Sequence, residues 1–184
     1  MAHFQLSLTQ TDKTYLKSLV LLSITSGLAG KDDATPPPPP SELTRRDLGA
    51  FVTLKRNGQL RGCIGNIVGQ GPLYMTVWNM AQAAAFQDPR FSPLTKGELE
   101  GLEIEISVLS PIEPCPDPER VEVGRHGLIM RQGARQGLLL PQVPVEWNWD
   151  RQQFLAQTCR KAGLPSAAWR DPSTEIYWFE AVYF

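Results

Sequence analysis

The sequence predicts an α+β fold: a mostly antiparallel sheet flanked by helices, with a smaller subdomain. Three observations carry that class. Asn57-Gly58 separates two runs of strand-forming residues, and Asn-Gly is the strongest short hairpin signal because both positions tolerate positive φ. Residues 102–108 (Leu-Glu-Ile-Glu-Ile-Ser-Val) alternate with period two, as a strand with one wet face does. Helical stripes are scattered between the strands with no regular βαβ alternation, which argues against a parallel sheet.

Length fits one domain spanning 1–184, since domains run to about 100–200 residues. Lys+Arg 18 against Asp+Glu 19 gives a formal net charge of −1. That balance excludes a strongly basic nucleic-acid binder and an acidic solvating tail. No apolar run approaches the roughly 18 residues of a membrane span. Three cysteines without a Cys-x-x-Cys pair, and two histidines, exclude a disulfide scaffold and speak against structural zinc. No metal site and no cofactor are expected.

In chain order, residues 12–28 come first. Lys13 and Lys17 followed by Leu19-Val20-Leu21-Leu22 and small residues have the layout of a secretory leader. Leu16, Leu19, Val20 and Ile24 repeat at helical spacing, and Thr11 is a reasonable N-cap, so a packed helix is favoured. Residues 31–42 hold five consecutive prolines and are expected as a stiff surface loop, with a docking site for a proline-reading partner as the alternative. Residues 49–55 and 60–67 form the hairpin. Leu73, Val77, Met80, Ala81 and Ala84 mark a helix ending near Phe86. Asp88-Pro89-Arg90-Phe91-Ser92-Pro93 is loop, because proline disfavours helix before it. After the alternating strand, residues 111–118 are proline-rich loop. Residues 121–123, 128–131 and 137–140 read as short strands. Asp150 caps a helix carrying Phe154, Leu155, Thr158 and Cys159, which Gly163 stops. Residues 175–184 close the chain as a strand.

Candidate chemistry gathers at Leu60-Arg61-Gly62-Cys63-Ile64-Gly65. On a regular strand Arg61 and Cys63 share a face, and a guanidinium beside a thiol favours the thiolate. Cys63 is then a nucleophile or redox group, against the alternative of a buried small hydrophobe. Asp88 and Arg90 are either a pair that organises their loop or a clamp in which Arg90 grips an anionic substrate. His126 is a candidate general base, against a turn residue between glycines. Lys161 reaches a ligand anion or complements the negative end of its helix. Cys159 is a candidate partner for Cys63, and Cys115, between two prolines, an exposed thiol. Trp147 and Trp149 are expected to pack in the core at a subdomain junction, with a pocket or partner surface as the alternative. No nucleotide-loop, zinc-protease or hydrolase-elbow motif is present.

These runs, in order, resemble the signature of the AMMECR-type family, whose bacterial and archaeal members are called AmmeMemoRadiSam system protein A. The resemblance rests on Phe51-Val52-Thr53-Leu54, Leu60-Arg61-Gly62-Cys63-Ile64-Gly65, Ala84-Ala85-Phe86 and Asp88-Pro89-Arg90-Phe91-Ser92-Pro93-Leu94. It continues through Ile106-Ser107-Val108, Gly127-Leu128-Ile129, Gly137-Leu138-Leu139-Leu140-Pro141-Gln142-Val143, Trp149-Asp150 and Lys161-Ala162-Gly163-Leu164. It implies a single α+β domain and favours the packed first helix, hence a cytoplasmic protein. It also implies association with a Memo-type protein and a radical-SAM protein, which fixes no reaction. Two readings follow. In one, the chain is an enzyme acting on a small anionic substrate, with Cys63, Arg61 and His126 catalytic and Asp88, Arg90 and Lys161 binding. In the other it is a non-catalytic adaptor for those partners. Neither nucleic acid nor membrane is expected as a partner.

Overall fold

A computed structural model describes residues 6–31 and 33–184; His3 lies outside them. The class is α+β with antiparallel strand pairing, as the sequence predicts. The chain divides into two compact units. The first takes the described residues up to Leu109 together with Val182–Phe184, and the second is Ser110–Ala181.

In the first unit the long helix α1 (Gln10–Leu28) is closed at its start by a capping box. The Thr9 hydroxyl accepts from the Asp12 amide and the Asp12 carboxylate accepts from the Thr9 amide. The cap is Thr9, two residues before the predicted Thr11. Leu16, Leu19, Val20 and Ile24 are fully buried, so the segment that mimics a secretory leader is a core helix here. Strands β1 (Ala50–Arg56) and β2 (Gln59–Asn66) form the predicted hairpin, with Asn57 and Gly58 at φ 53° and 72°. β1 also pairs antiparallel with β3 (Leu102–Leu109). Ala50, Val52, Leu54, Ile106 and Val108 point inward against α1 and against Leu73, Val77, Ala81 and Ala84 of α2 (Leu73–Phe86). Phe184 exchanges two backbone hydrogen bonds with Ile106, at 3.0 and 3.2 Å, and adds the chain's last residues to β3. The proline segment is not a free loop: Pro39 is buried and two of the tract's carbonyls are bonded to the chain's own side chains.

In the second unit β5 (His126–Gln132) lies between β6 (Arg135–Leu139) and β7 (Glu175–Tyr183), all antiparallel. The predicted loop 111–118 contains a two-residue strand, β4 (Glu113–Pro114), paired to β7. The predicted strand 121–123 does not form; a 3-10 turn (Pro118–Arg120) begun by Pro118 is followed by a second turn closed on the Glu122 carbonyl before β5. A short helix α3 (Gln142–Glu146) follows β6. Helix α4 (Arg151–Lys161) starts at the predicted Asp150 cap and ends at Gly163, where Leu164 N–H donates to the Cys159 carbonyl and Gly163 N–H to that of Arg160. Phe154, Leu155 and Cys159 pack with Leu128, Met130, Val121 and Leu164 as a second core. Trp147 is not core: it is 67% exposed and stacks on Trp149 with ring centroids 6.1 Å apart. No helix among the described residues is long and apolar enough to cross a membrane.

Candidate functional site

The site grows from the return strand β2. Its register slips once: Leu54 faces Gly62 while Lys55 faces Leu60, so Arg61 is the extra residue of a β-bulge. Alternation of faces does not carry across a bulge, so the shared face of Arg61 and Cys63 cannot be read from their spacing. The bulge aims Arg61 at Glu98, at the end of a 3-10 turn (Lys96–Glu98). Nε donates to Oε1 at 2.7 Å and Nη2 to Oε2 at 3.2 Å, and Nη2 also donates to the Ser92 carbonyl at 2.9 Å. This fork, with help from the Thr95 amide, lowers the Glu98 carboxyl to about 2.

One residue further, Gly62 turns its bare face to α2. A Cβ there would sit 2.1 Å from the Ala84 carbonyl oxygen, so only glycine lets helix and strand approach this closely. The fit brings the loop leaving α2 onto β2. Asp88, buried, accepts from the Cys63 amide (2.9 Å), the Arg90 amide (3.1 Å), and Arg90 Nε and Nη2 (2.9 and 2.7 Å). Arg90 Nη2 returns a bond to the Cys63 carbonyl at 3.2 Å. The Arg90 fork first, and the Cys63 and Arg90 amides after it, hold the Asp88 carboxyl far below the usual carboxylate range against the cost of its burial. The Phe91 ring centroid is 5.9 Å from the Arg61 guanidinium and 5.5 Å from that of Arg90.

Cys63 itself is partly buried. It sits opposite Thr53, which sits opposite Glu105 on β3, and the Thr53 hydroxyl donates to Sγ at 3.2 Å. Glu105 is paired with Lys55 at 3.0 Å. Each carboxylate around the thiol therefore already has its cation. Arg61 Nη1 is buried with no hydrogen-bond partner in the structure, so one donor can still take an acceptor. No group of three or more His, Cys, Asp or Glu suited to a metal ion occurs among the described residues.

Arg61, Cys63, Asp88 and Arg90 thus come together in the first unit. His126 and Lys161 belong to the second. His126 opens β5 instead of a turn, buried, with Nδ1 accepting from the Glu122 amide at 3.0 Å and its ring 4.5 Å from that of Trp178. Lys161 ends α4, exposed. Cys159 is fully buried in the second core, where burial raises its pKa. Cys115 is half-buried, not exposed, and burial raises its pKa too. Sequence reasoning missed Thr53, Glu98 and Glu105. Regular register counted back from Asn57-Gly58 puts Thr53 opposite Gly62, and only the bulge at Arg61 moves it opposite Cys63. Glu98 carries no local signal beyond the Thr95-Lys96-Gly97-Glu98 capping box.

The AMMECR1 family profile matches residues 18–184. A Thermococcus kodakarensis protein is 48% identical over 155 residues, covering 79% of this chain and 75% of its own. A Nanoarchaeum equitans protein is 43% identical over 164 residues, covering 85% and 91%. The crystal structure of an uncharacterised Pyrococcus horikoshii protein superposes with a TM-score of 0.82 at 40% identity, covering 96% of this chain and 91% of that one.

Proposed function

The chain belongs to the AMMECR1 family, and from that premise we propose that it is a non-catalytic binding module of the cytoplasm. Its signature residues form a neutral clamp that fixes one recognition surface. The observation that carries this reading is the pairing within the clamp: Asp88 takes Arg90 and Glu98 takes Arg61, so neither carboxylate is left for a substrate proton. A buried, fully bonded carboxylate specifies position better than it adds stability. The partners are the Memo-type and radical-SAM proteins that the family resemblance implies. Sedimentation of the purified chain with each of them should give a heavier species at micromolar concentration, weakened at least tenfold by Asp88→Asn. A chain that stays alone with both overturns the reading.

A second reading keeps the chemistry at Cys63. It is supported by the hydroxyl bonded to its sulfur and by the unmatched Nη1 of Arg61. There Cys63 is the reactive group, and Arg61 and Arg90 orient a small anionic substrate beside it. Iodoacetamide labelling across pH separates the two readings: the enzyme requires Cys63 to react in the folded protein, and an inert thiol removes the nucleophile.

A further inference from the structure

The proline tract is a motif that neither reading uses. Pro36, Pro37, Pro38 and Pro39 each precede a proline, which drives a residue out of helical geometry, and each ring fixes its own φ. Residues 36–39 carry neither helix nor strand, and a run of prolines favours the polyproline II rod, which has no internal hydrogen bonds and leaves its carbonyls bare.

Two of those carbonyls are taken by the chain itself. The Tyr15 hydroxyl on α1 donates to the Pro37 carbonyl at 2.7 Å, and Arg45 Nη2 donates to that of Pro39 at 3.2 Å. Pro39 is buried, whereas Pro37, Pro38 and Pro40 are exposed. A hollow of about 430 Å³ opens beside the tract, lined by Gln10, Thr11, Thr14, Tyr15 and Pro40. An aromatic hydroxyl and a second donor reaching alternate carbonyls of a preformed rod is the chemistry by which proline-rich ligands are recognised. Burial first, and Tyr74 after it, push the Tyr15 phenol up to about 12, so it keeps its donor proton throughout the neutral range.

We propose that Tyr15 of α1 and Arg45 are the donors of a polyproline-binding groove occupied in cis by residues 36–40, that the hollow lined by Gln10, Thr11 and Thr14 extends this groove, and that its occupant in trans is a proline-rich extended segment of a partner protein. The tether gives the cis strap an effective concentration on the order of mM, so it holds the groove against free peptide until it is lifted. This inference uses only residues 10–45 and stands apart from the readings of the Cys63 site.

The test is fluorescence anisotropy of labelled decaproline titrated with the full chain. Replacing residues 36–40 by Gly-Ser-Gly-Ser-Gly should tighten binding at least tenfold over wild type, and adding Tyr15→Phe should take back at least fivefold. A folded replacement variant that binds no tighter than wild type, or that binds a labelled Gly-Ser decapeptide as well as decaproline, overturns the proposal. If the replacement variant does not fold, Pro38→Gly loosens the rod while leaving the Tyr15 and Arg45 donors in place, and should tighten decaproline binding at least twofold. Binding equal to wild type then overturns it.

Discussion

In both units an antiparallel hairpin sends back a strand whose glycine lies against a helix backbone. Gly62 of β2 meets Ala84 of α2, and Gly137 of β6 meets Ala162 just past α4, where a Cβ would come within 2.1 and 2.2 Å of backbone atoms. The contact is the same; what closes around it differs. In the first unit the strand bulges at Arg61, and the loop beyond the helix is held by a carboxylate whose side chain is 2% exposed. In the second the β5–β6 register runs without a bulge, and closure comes from the α4 cap and the apolar packing of Phe154 and Leu155. The second unit's Arg151–Glu119 pair is open to solvent. There packing and the cap, with one bond from Arg135 to the Gly163 carbonyl at 3.3 Å, seat the helix on its strand. The added charges of the first unit fix where one particular loop lies, which is what a recognition surface needs.

The comparison breaks first at the glycines. Gly62→Ala and Gly137→Ala should each cost about 3 kcal/mol, since the new methyl must push a helix backbone off its strand. Urea unfolding measures both, and a loss under about 1 kcal/mol at either site would show that its helix can yield. Next, Asp88→Asn should cost about 2 kcal/mol by leaving buried donors without their charge partner. Glu119→Gln in the second unit should cost under about 1 kcal/mol, as exposed pairs do.

Acid sharpens the same contrast. The Asp88 and Glu98 carboxyls lie below their unfolded values, so their stabilisation is complete only above about pH 5, past the unfolded carboxylate range. It is lost as pH falls toward the folded values, that of Glu98 being about 2. Unfolding free energy should fall from pH 5 to pH 2 in wild type and fall less steeply in Glu98→Gln. Arg61→Lys, which keeps the charge but loses the fork, should cost about 1 kcal/mol in urea unfolding, less than Asp88→Asn and more than Glu119→Gln.

Much of this architecture is legible in the sequence because its signals are local. Asn57-Gly58 names its hairpin, the spacing of Leu73, Val77 and Ala81 names α2, and Asp150 and Gly163 bracket α4. What escapes is set by distant partners. Nothing near Arg61 announces a bulge or points to Glu98, and nothing near Glu113 announces a strand completed by Trp178. His126 has the glycine neighbours of a turn, yet pairing with Glu180 makes it strand. The candidate site was half legible: Cys63, Asp88 and Arg90 meet as neighbouring motifs, while Thr53 and Glu105 enter only through cross-strand register.

The backbone bonds between Ile106 and Phe184 carry a consequence for synthesis. A ribosome delivers Leu109 early, but the first unit's last hydrogen bonds wait until every residue of Ser110–Ala181 has emerged. Such distant closure is slow, because the entropy of a long loop is lost before the contact forms. Until then the exposed edge of β3 is a template for pairing with a neighbouring nascent chain.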